Sequence, residues 1–254
     1  MVRGLDKFKA HFSDYDHHYT IIGGTACFWN LQAAGLGFRA TQDIDILIIL
    51  ENYDIKFNHH LWKFFIDGKY SSLQKEVTEQ KFYRFLNPGD DEFPKQIEIL
   101  CRKPEAINLP GGLAVTAIDP EEYFSHLSAI ILDDDYYNFT IGNSYTLNGL
   151  HISGIEALIC LKAYAYLNLS NRKEEGENID EKNINKHKRD VFRLGAGLKT
   201  TDIILPSKIR SDLKMFVQIM EKEKPEVVNL LKLMGINNLT RDDILSTLNK
   251  SFRL

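Results

Sequence analysis

Asp43 and Asp45 stand two residues apart in FRATQDIDILIIL, residues 38–50, at the mouth of the aliphatic run Ile46 to Leu50. Such a run predicts a strand covered on both faces. Residues i and i+2 of a strand share a face, so the two carboxylates aim at one point while Ile44 and Ile46 turn away. Two carboxylates that close stay ionised only beside a cation, and no Lys or Arg alternates with them. Oxygen donors of this kind suit a hard divalent ion, magnesium or manganese. The bland alternative is a solvated strand end.

Three other groups of residues could do chemistry. IIGGTA, residues 21–26, reads as a strand, a glycine pair and a helix start. Backbone at Gly23 and Gly24 can approach a phosphate closely, and a helix N-terminus favours the anion. A tight corner is the plainer reading. KQIEILC, residues 95–101, places Glu98 between Ile97 and Ile99. If that strand lies beside 43–50, Glu98 joins the acidic pair; otherwise it is an edge-strand residue facing water. Lys162 falls among Ile155, Leu158, Ile159 and Tyr166 on a helical wheel, where a charge must snorkel, pair with an acid or serve a site. On the following helix Lys186, Asp190 and Arg193 share a face. Lys186–Asp190 is an i,i+4 pair in the weaker orientation, so local helix support explains it poorly. A surface ion-pair set is the alternative.

The elements that must position these residues follow from periodicity and breakers. A helix is predicted over 3–14, a strand over 19–22, a helix over Thr25–Ala34, a strand over 43–50 and a helix over 55–66. Strands over 80–86 and 95–102 flank the turn NPGDDEFP, and 113–118, 128–133, 136–142 and 144–152 look strand-like. DDDYYNF, 133–139, reads as an acidic hairpin. After Ser153 come helices over 155–169, 184–197, 206–224, 225–235 and 240–252, with a charged loop over 170–183. Thr240 and Asp243 have capping-box spacing. The fold class is α+β: residues 1–152 form a mixed or antiparallel sheet with helices, and residues 153–254 a helical bundle.

Composition narrows the function classes. With 254 residues and 44% hydrophobic side chains the chain can bury one large core or two modest ones. A net charge of −4 excludes a uniformly basic nucleic-acid binder. The charge is uneven: residues 1–150 carry 13 Lys and Arg against 21 Asp and Glu, residues 151–254 carry 18 against 14. Three scattered cysteines form no CxxC pair, which fits a reducing cytoplasm. The N-terminal segment lacks the apolar core of a signal peptide, and no apolar run approaches the ~20 residues that span a bilayer, so no membrane partner is expected. The adjacent pairs His17-His18 and His59-His60 diverge and make poor metal ligands.

Taken together, apolar-Gly-Gly, a helix, Arg39-Ala-Thr41-Gln-Asp43-Ile-Asp45 and apolar-Glu98-apolar resemble the polymerase-β-like nucleotidyltransferase superfamily. GGTACFWNLQAAGLGFRATQDIDI is similar to the opening motif of the AbiEii/AbiGii-type toxin family, and Lys162 with Arg189-Asp190 match that family's helical lysine and basic-aspartate positions. The resemblance covers residues 19–102, with a second segment at 155–194. It implies a magnesium-dependent nucleotidyltransferase of toxin–antitoxin type. A nucleoside monophosphate would pass from an NTP to a hydroxyl of RNA, tRNA included, or of a protein, and a cognate antitoxin is an implied partner. Asp43, Asp45 and Glu98 would hold two Mg²⁺, with Mn²⁺ as a substitute. Gly23, Gly24, Thr25 and Thr41 would cradle the triphosphate, Arg39 and Lys162 would counter its charge, and Asp190 would orient Lys162 or the acceptor. Two other classes remain: a DxD metal-dependent glycosyltransferase, and a nucleotide-binding module without turnover.

Overall fold

The computed structural model describes residues 3–39, 41–77, 80–102, 115–117, 133–199 and 201–254, with the side chains of 71–83 and 115–117 left aside. By contact density the chain forms two compact units: Met1–Ala26, Ala40–Asp133 and Ser144–Ser153 in one, Cys27–Arg39, Asp134–Asn143 and Gly154–Leu254 in the other. Segments 27–39 and 134–143 thus group with the helical C-terminal part.

The first unit is built on a mixed sheet. Its strands are β1 (Tyr19–Ile22), β2 (Asp43–Ile48), β3 (Ser71–Val77), β4 (Gln80–Leu86), β5 (Gln96–Leu100), β6 (Val115–Ala117), β7 (Ser144–Leu147) and β8 (Leu150–Ser153). The order across the sheet is β6-β3-β4-β5-β2-β1-β8-β7, with β2–β5, β1–β8 and β3–β6 parallel and the other pairs antiparallel. β1 and β2 are interior strands of the sheet, and Ile21, Ile22, Ile44, Ile46, Leu47 and Ile48 are all buried, as a doubly covered strand requires. The α+β class expected from the sequence is the class observed.

Helix α1 (Leu5–His11) is followed by a 3₁₀ segment, Ser13–His18, in place of one helix over 3–14. Helix α3 (Ile55–Asp67) begins at Asp54, whose Oδ1 accepts from the Phe57 amide at 2.7 Å. It buries Phe57, Leu61, Trp62, Phe64 and Phe65, and Phe65 stacks on Phe85 of β4 with ring centroids 3.7 Å apart. Each fully buried side chain of this size stabilises by about 1.5–3 kcal/mol. The piece 144–152, read as strand-like, is a hairpin. Asn148 (φ 52°) and Gly149 (φ 72°) turn β7 into β8, as an Asn-Gly pair does in a turn with both central residues left-handed.

The second unit is helical. It holds the later part of α2 (Gly23–Ala33), then α4 (Asp134–Gly142), α5 (Ile155–Glu174), α6 (Glu181–Gly197), α7 (Ser207–Glu223), α8 (Val228–Lys232) and α9 (Arg241–Phe252). α5 is buried nearly all round, from Ala157 to Leu169, and extends five residues beyond its predicted end at 169. α9 starts with the predicted capping box between Thr240 and Asp243.

Two expectations are corrected. YYNFTIG, read as a strand, and DDDYYNF, read as a hairpin, lie in α4. Asp134 and Asp135 occupy its first turn, where acids favour the helix dipole, while Tyr136, Tyr137 and Thr140 are buried. The Tyr136 hydroxyl donates to Asp212 of α7 at 2.9 Å. The remaining expected strands, 113–118 and 128–133, fall largely outside the described residues apart from β6. No helix among the described residues is long and apolar enough to cross a membrane.

Candidate active site

The sheet brings three charged residues into one row. In the parallel pair β2–β5, Asp43 lies opposite Gln96 and Asp45 opposite Glu98. In the antiparallel pair β4–β5, Arg84 lies opposite Glu98. Directly opposed residues share a face of a sheet, so Asp45, Glu98 and Arg84 form a line across three adjacent strands. Asp43 and Asp45 are half-buried, while Ile44 and Ile46 between and beyond them are fully buried. The strand adjacency expected for 43–50 and 95–102 is therefore present.

Glu98 is engaged differently from the expectation. Its Oε1 is ion-paired with Arg84 Nη2 and also accepts from Gln96 Nε2 at 2.9 Å. The Arg84 side chain is only 8% exposed, and that of Glu98 14%. A buried guanidinium thus offers Glu98 a countercharge that the sequence reading did not name. Among the described residues no three His, Cys, Asp or Glu side chains gather into a metal-holding group. Asp43 and Asp45, on the same face, make a two-carboxylate donor set of the kind that would suit a hard divalent ion.

Gly23 shapes the same place. It has φ +65°, which starts α2 directly after β1, two residues earlier than predicted. A Cβ on Gly23 would overlap the Asp45 carboxylate. The position therefore demands glycine twice, for its backbone angle and for the close approach of Asp45. Gly24 is buried, and Thr41 is half-buried just before β2. Thr25 is fully buried, and its hydroxyl donates to the Asp43 backbone oxygen at 2.6 Å. That bond ties the first turn of α2 to the start of β2, so the Thr25 hydroxyl positions Asp43 and is not presented to a ligand.

A second charged group belongs to the helical unit. Asp190 of α6 is completely buried. Arg39 donates to it from Nε at 3.4 Å and from Nη2 at 3.1 Å, one to each carboxylate oxygen. Arg193, one turn along α6, donates from Nη1 at 2.8 Å. Lys162 of α5 is 2% exposed and within Coulombic reach of Asp190, and among the described residues no hydrogen bond or ion pair holds it. Burial pushes the Asp190 carboxyl up, but Lys162, Arg39 and Arg193 outweigh it and hold it below the usual carboxylate range. Burial, with Arg39 and Arg189 beside it, pulls the Arg193 guanidinium below its ordinary value despite Asp190. Both guanidiniums also lie over the Phe38 ring, at 5.1 Å and 5.6 Å from its centroid. Arg189, which matches the family's basic position before the aspartate, is exposed, as is Lys186.

Sequence reasoning missed Arg84 and the extent of Arg193's part. Arg84 had a signal: a lone charge between Tyr83 and Phe85, the mirror of Glu98 between Ile97 and Ile99 one turn later. Two isolated opposite charges on consecutive antiparallel strands are a pairing cue.

No protein-family model matches the chain, and no curated protein matches it. Among solved structures, an antigenic nucleotidyltransferase-like protein from Paracoccidioides brasiliensis is similar to it, at 15% identity and a TM-score of 0.47, over 99% of this chain and 96% of that one.

Proposed function

We propose that this protein is a metal-dependent nucleotidyltransferase that moves a nucleoside monophosphate from an NTP to an acceptor hydroxyl and releases pyrophosphate. The observation that carries the reading is the Lys162 ammonium. The residue is 2% exposed and lies beside a buried carboxylate already bonded by two guanidiniums, with no hydrogen bond of its own among the described residues. A lysine on a buried stem in that setting can offer its ammonium to an anion brought by a ligand, and a triphosphate supplies one. Lys162 and Arg39 bind the phosphates. Their pull strengthens as charge develops on the departing pyrophosphate. Asp190 keeps Lys162 and Arg39 oriented.

In the sheet unit, Asp43 and Asp45 would hold Mg²⁺, or Mn²⁺ in its place. When bound, the ion lowers the pKa of the acceptor hydroxyl and offsets phosphate charge. Gly23 and Gly24, at the start of α2, offer backbone to a phosphate oxygen. The acceptor class is RNA, tRNA included, or a protein. The motif resemblance extends the proposal to a toxin with a cognate antitoxin.

The test is mass spectrometry of tRNA, bulk RNA and protein acceptors after incubation with the full chain, Mg²⁺ and each NTP. One NTP should add one nucleotide to one acceptor class, and Lys162→Met should abolish the addition. Absence of transfer from every NTP to all acceptors, or transfer from a UDP-sugar, overturns the reading. The toxin part stands separately: induced expression should halt growth for the wild type and not for Lys162→Met, and unimpaired growth removes that part alone.

A further inference from the structure

Helix α6 carries a basic stripe of which only the last member, Arg193, belongs to the Asp190 cluster. Lys182, Lys186, Arg189 and Arg193 follow one another at spacings of four, three and four residues. At 3.6 residues per turn they fall within an arc of about 60° and run roughly 16 Å along the helix, one cation per turn. Lys182, Lys186 and Arg189 are exposed, and Arg193, bonded to Asp190, ends the row. The acids of this helix are directed elsewhere. Glu181 stands about 100° around the axis from Lys182. It lies 3.8 Å from Lys173. Asp180 caps the helix, accepting from the Lys182 amide at 2.8 Å, and Asp190 is completely buried. Among the described residues no carboxylate pairs with Lys182 or Arg189. Lys188, on the other side of the helix, is by contrast matched with Glu223 at 2.8 Å.

Regularly spaced cations on an exposed face suit a repeating anion. A protein partner would need an apolar anchor at the centre of the contact. Among the described residues no exposed large hydrophobic side chain lies on α6. A nucleic-acid backbone needs no such anchor and meets cations with successive phosphates. We infer that this stripe docks the phosphate backbone of a nucleic-acid strand, which makes nucleic acid, and not protein, the acceptor. The acceptor role rests on the nucleotidyltransferase reading; the docking of the strand stands without it.

Fluorescence anisotropy tests it, with the full chain titrated across a salt series into a labelled single-stranded RNA of about 20 nucleotides and, in parallel, DNA of the same sequence. No NTP is present, so a failure of this surface and a failure of transfer chemistry read out separately. The wild type should bind with log K falling against log salt at a slope of about −2 to −3, as three or four neutralised phosphates give. Lys182→Gln/Lys186→Gln leaves Arg189 and Arg193 in place. Its affinity should fall about tenfold and its slope flatten by about 1.4. Arg210→Gln/Lys214→Gln removes the same charge from exposed positions of α7 and should stay within about threefold of wild type. No strand bound by the wild type at low salt, or an equal loss in the two double variants, overturns the inference. Equal competition by polyglutamate also overturns it and turns the stripe into a site for an acidic protein segment.

Discussion

Two carboxylates, Glu98 half-buried and Asp190 fully buried, sit in opposite electrostatic situations. Glu98 in the sheet unit has one guanidinium, Arg84, and a neutral amide, Gln96. Asp190 in the helical unit has Arg39 and Arg193 bonded to it and Lys162 nearby. A carboxylate that meets one guanidinium needs no further countercharge, and a neutral pair of similar volume can often replace such an ion pair at little cost. A carboxylate crowded by three cations holds more positive charge than it needs, and such excess marks a place where a ligand anion completes the set. The difference teaches that burial alone does not separate architecture from site; the ratio of charges does.

The contrast breaks or sharpens at four points. The largest effect should come from Asp190→Asn, which leaves Lys162, Arg39 and Arg193 facing a neutral amide. Urea unfolding should show a loss of about 3–5 kcal/mol, and a loss below about 1 kcal/mol would place the cluster on the same footing as a solvated pair. The acid limb gives the sign. The folded carboxyl titrates below its ordinary 3.8, so its contribution is fully present above that value and disappears as pH falls through the lower folded pKa. Wild-type acid unfolding should therefore steepen below about pH 4, and Asp190→Asn should flatten it.

Next comes Lys162→Met, which keeps the stem's volume and removes the charge. Nucleotide transfer should fall by about 10²–10³, roughly 3–4 kcal/mol of barrier. The thermal midpoint should hold or rise, by up to ~1 kcal/mol in stability. Combined with Asp190→Asn the catalytic losses should be far from additive, and additive losses would mean that the two residues act apart. A smaller effect follows from ligand. Mg²⁺ with NTP at ~100 times its dissociation constant should add about 2.7 kcal/mol to the melt. Asp43→Asn with Asp45→Asn should lose that response yet be no less stable without ligand, since like-charge repulsion is relieved. If the pair unfolds the protein instead, those acids are architectural like Glu98. The smallest effect belongs to Thr240→Ala, remote in sequence from both carboxylates, which removes the α9 cap at about 1 kcal/mol with transfer unchanged.

Periodicity and breakers made much of the fold legible. β1, the end of α3 near Asp67 and the capping box of α9 came from local signals that agree with their surroundings. α4 shows where such signals fail. Tyr136, Tyr137, Phe139, Thr140 and Ile141 favour strands by propensity, yet burial of Tyr136 and Tyr137 and the acid pair at the N-terminus select a helix. The acids of the site were legible because isolated charges in apolar runs need an explanation. Arg193 was legible on the face of Asp190 through helix phase, whereas Arg84 becomes a partner of Glu98 only through strand pairing. Thr25 was visible as a polar residue at a helix start, while its bond to the Asp43 carbonyl depends on how α2 meets β2.

The interleaving of the chain has a consequence for biosynthesis. β8 pairs with β1 across more than half the sequence, so the sheet unit is complete once Ser153 has left the ribosome. By then Cys27–Arg39 and Asp134–Asn143 have emerged as well, although the unit they join still awaits Gly154–Leu254. Those two stretches must wait, exposed, while the rest is translated at about 5–20 residues per second. The sheet can therefore mature first and the helices last. A nascent chain stalled past Ser153 would carry the Asp43–Asp45 pair already assembled and Lys162 not yet in its helix bundle, so the growing polypeptide would set its paired carboxylates before its cluster of buried cations.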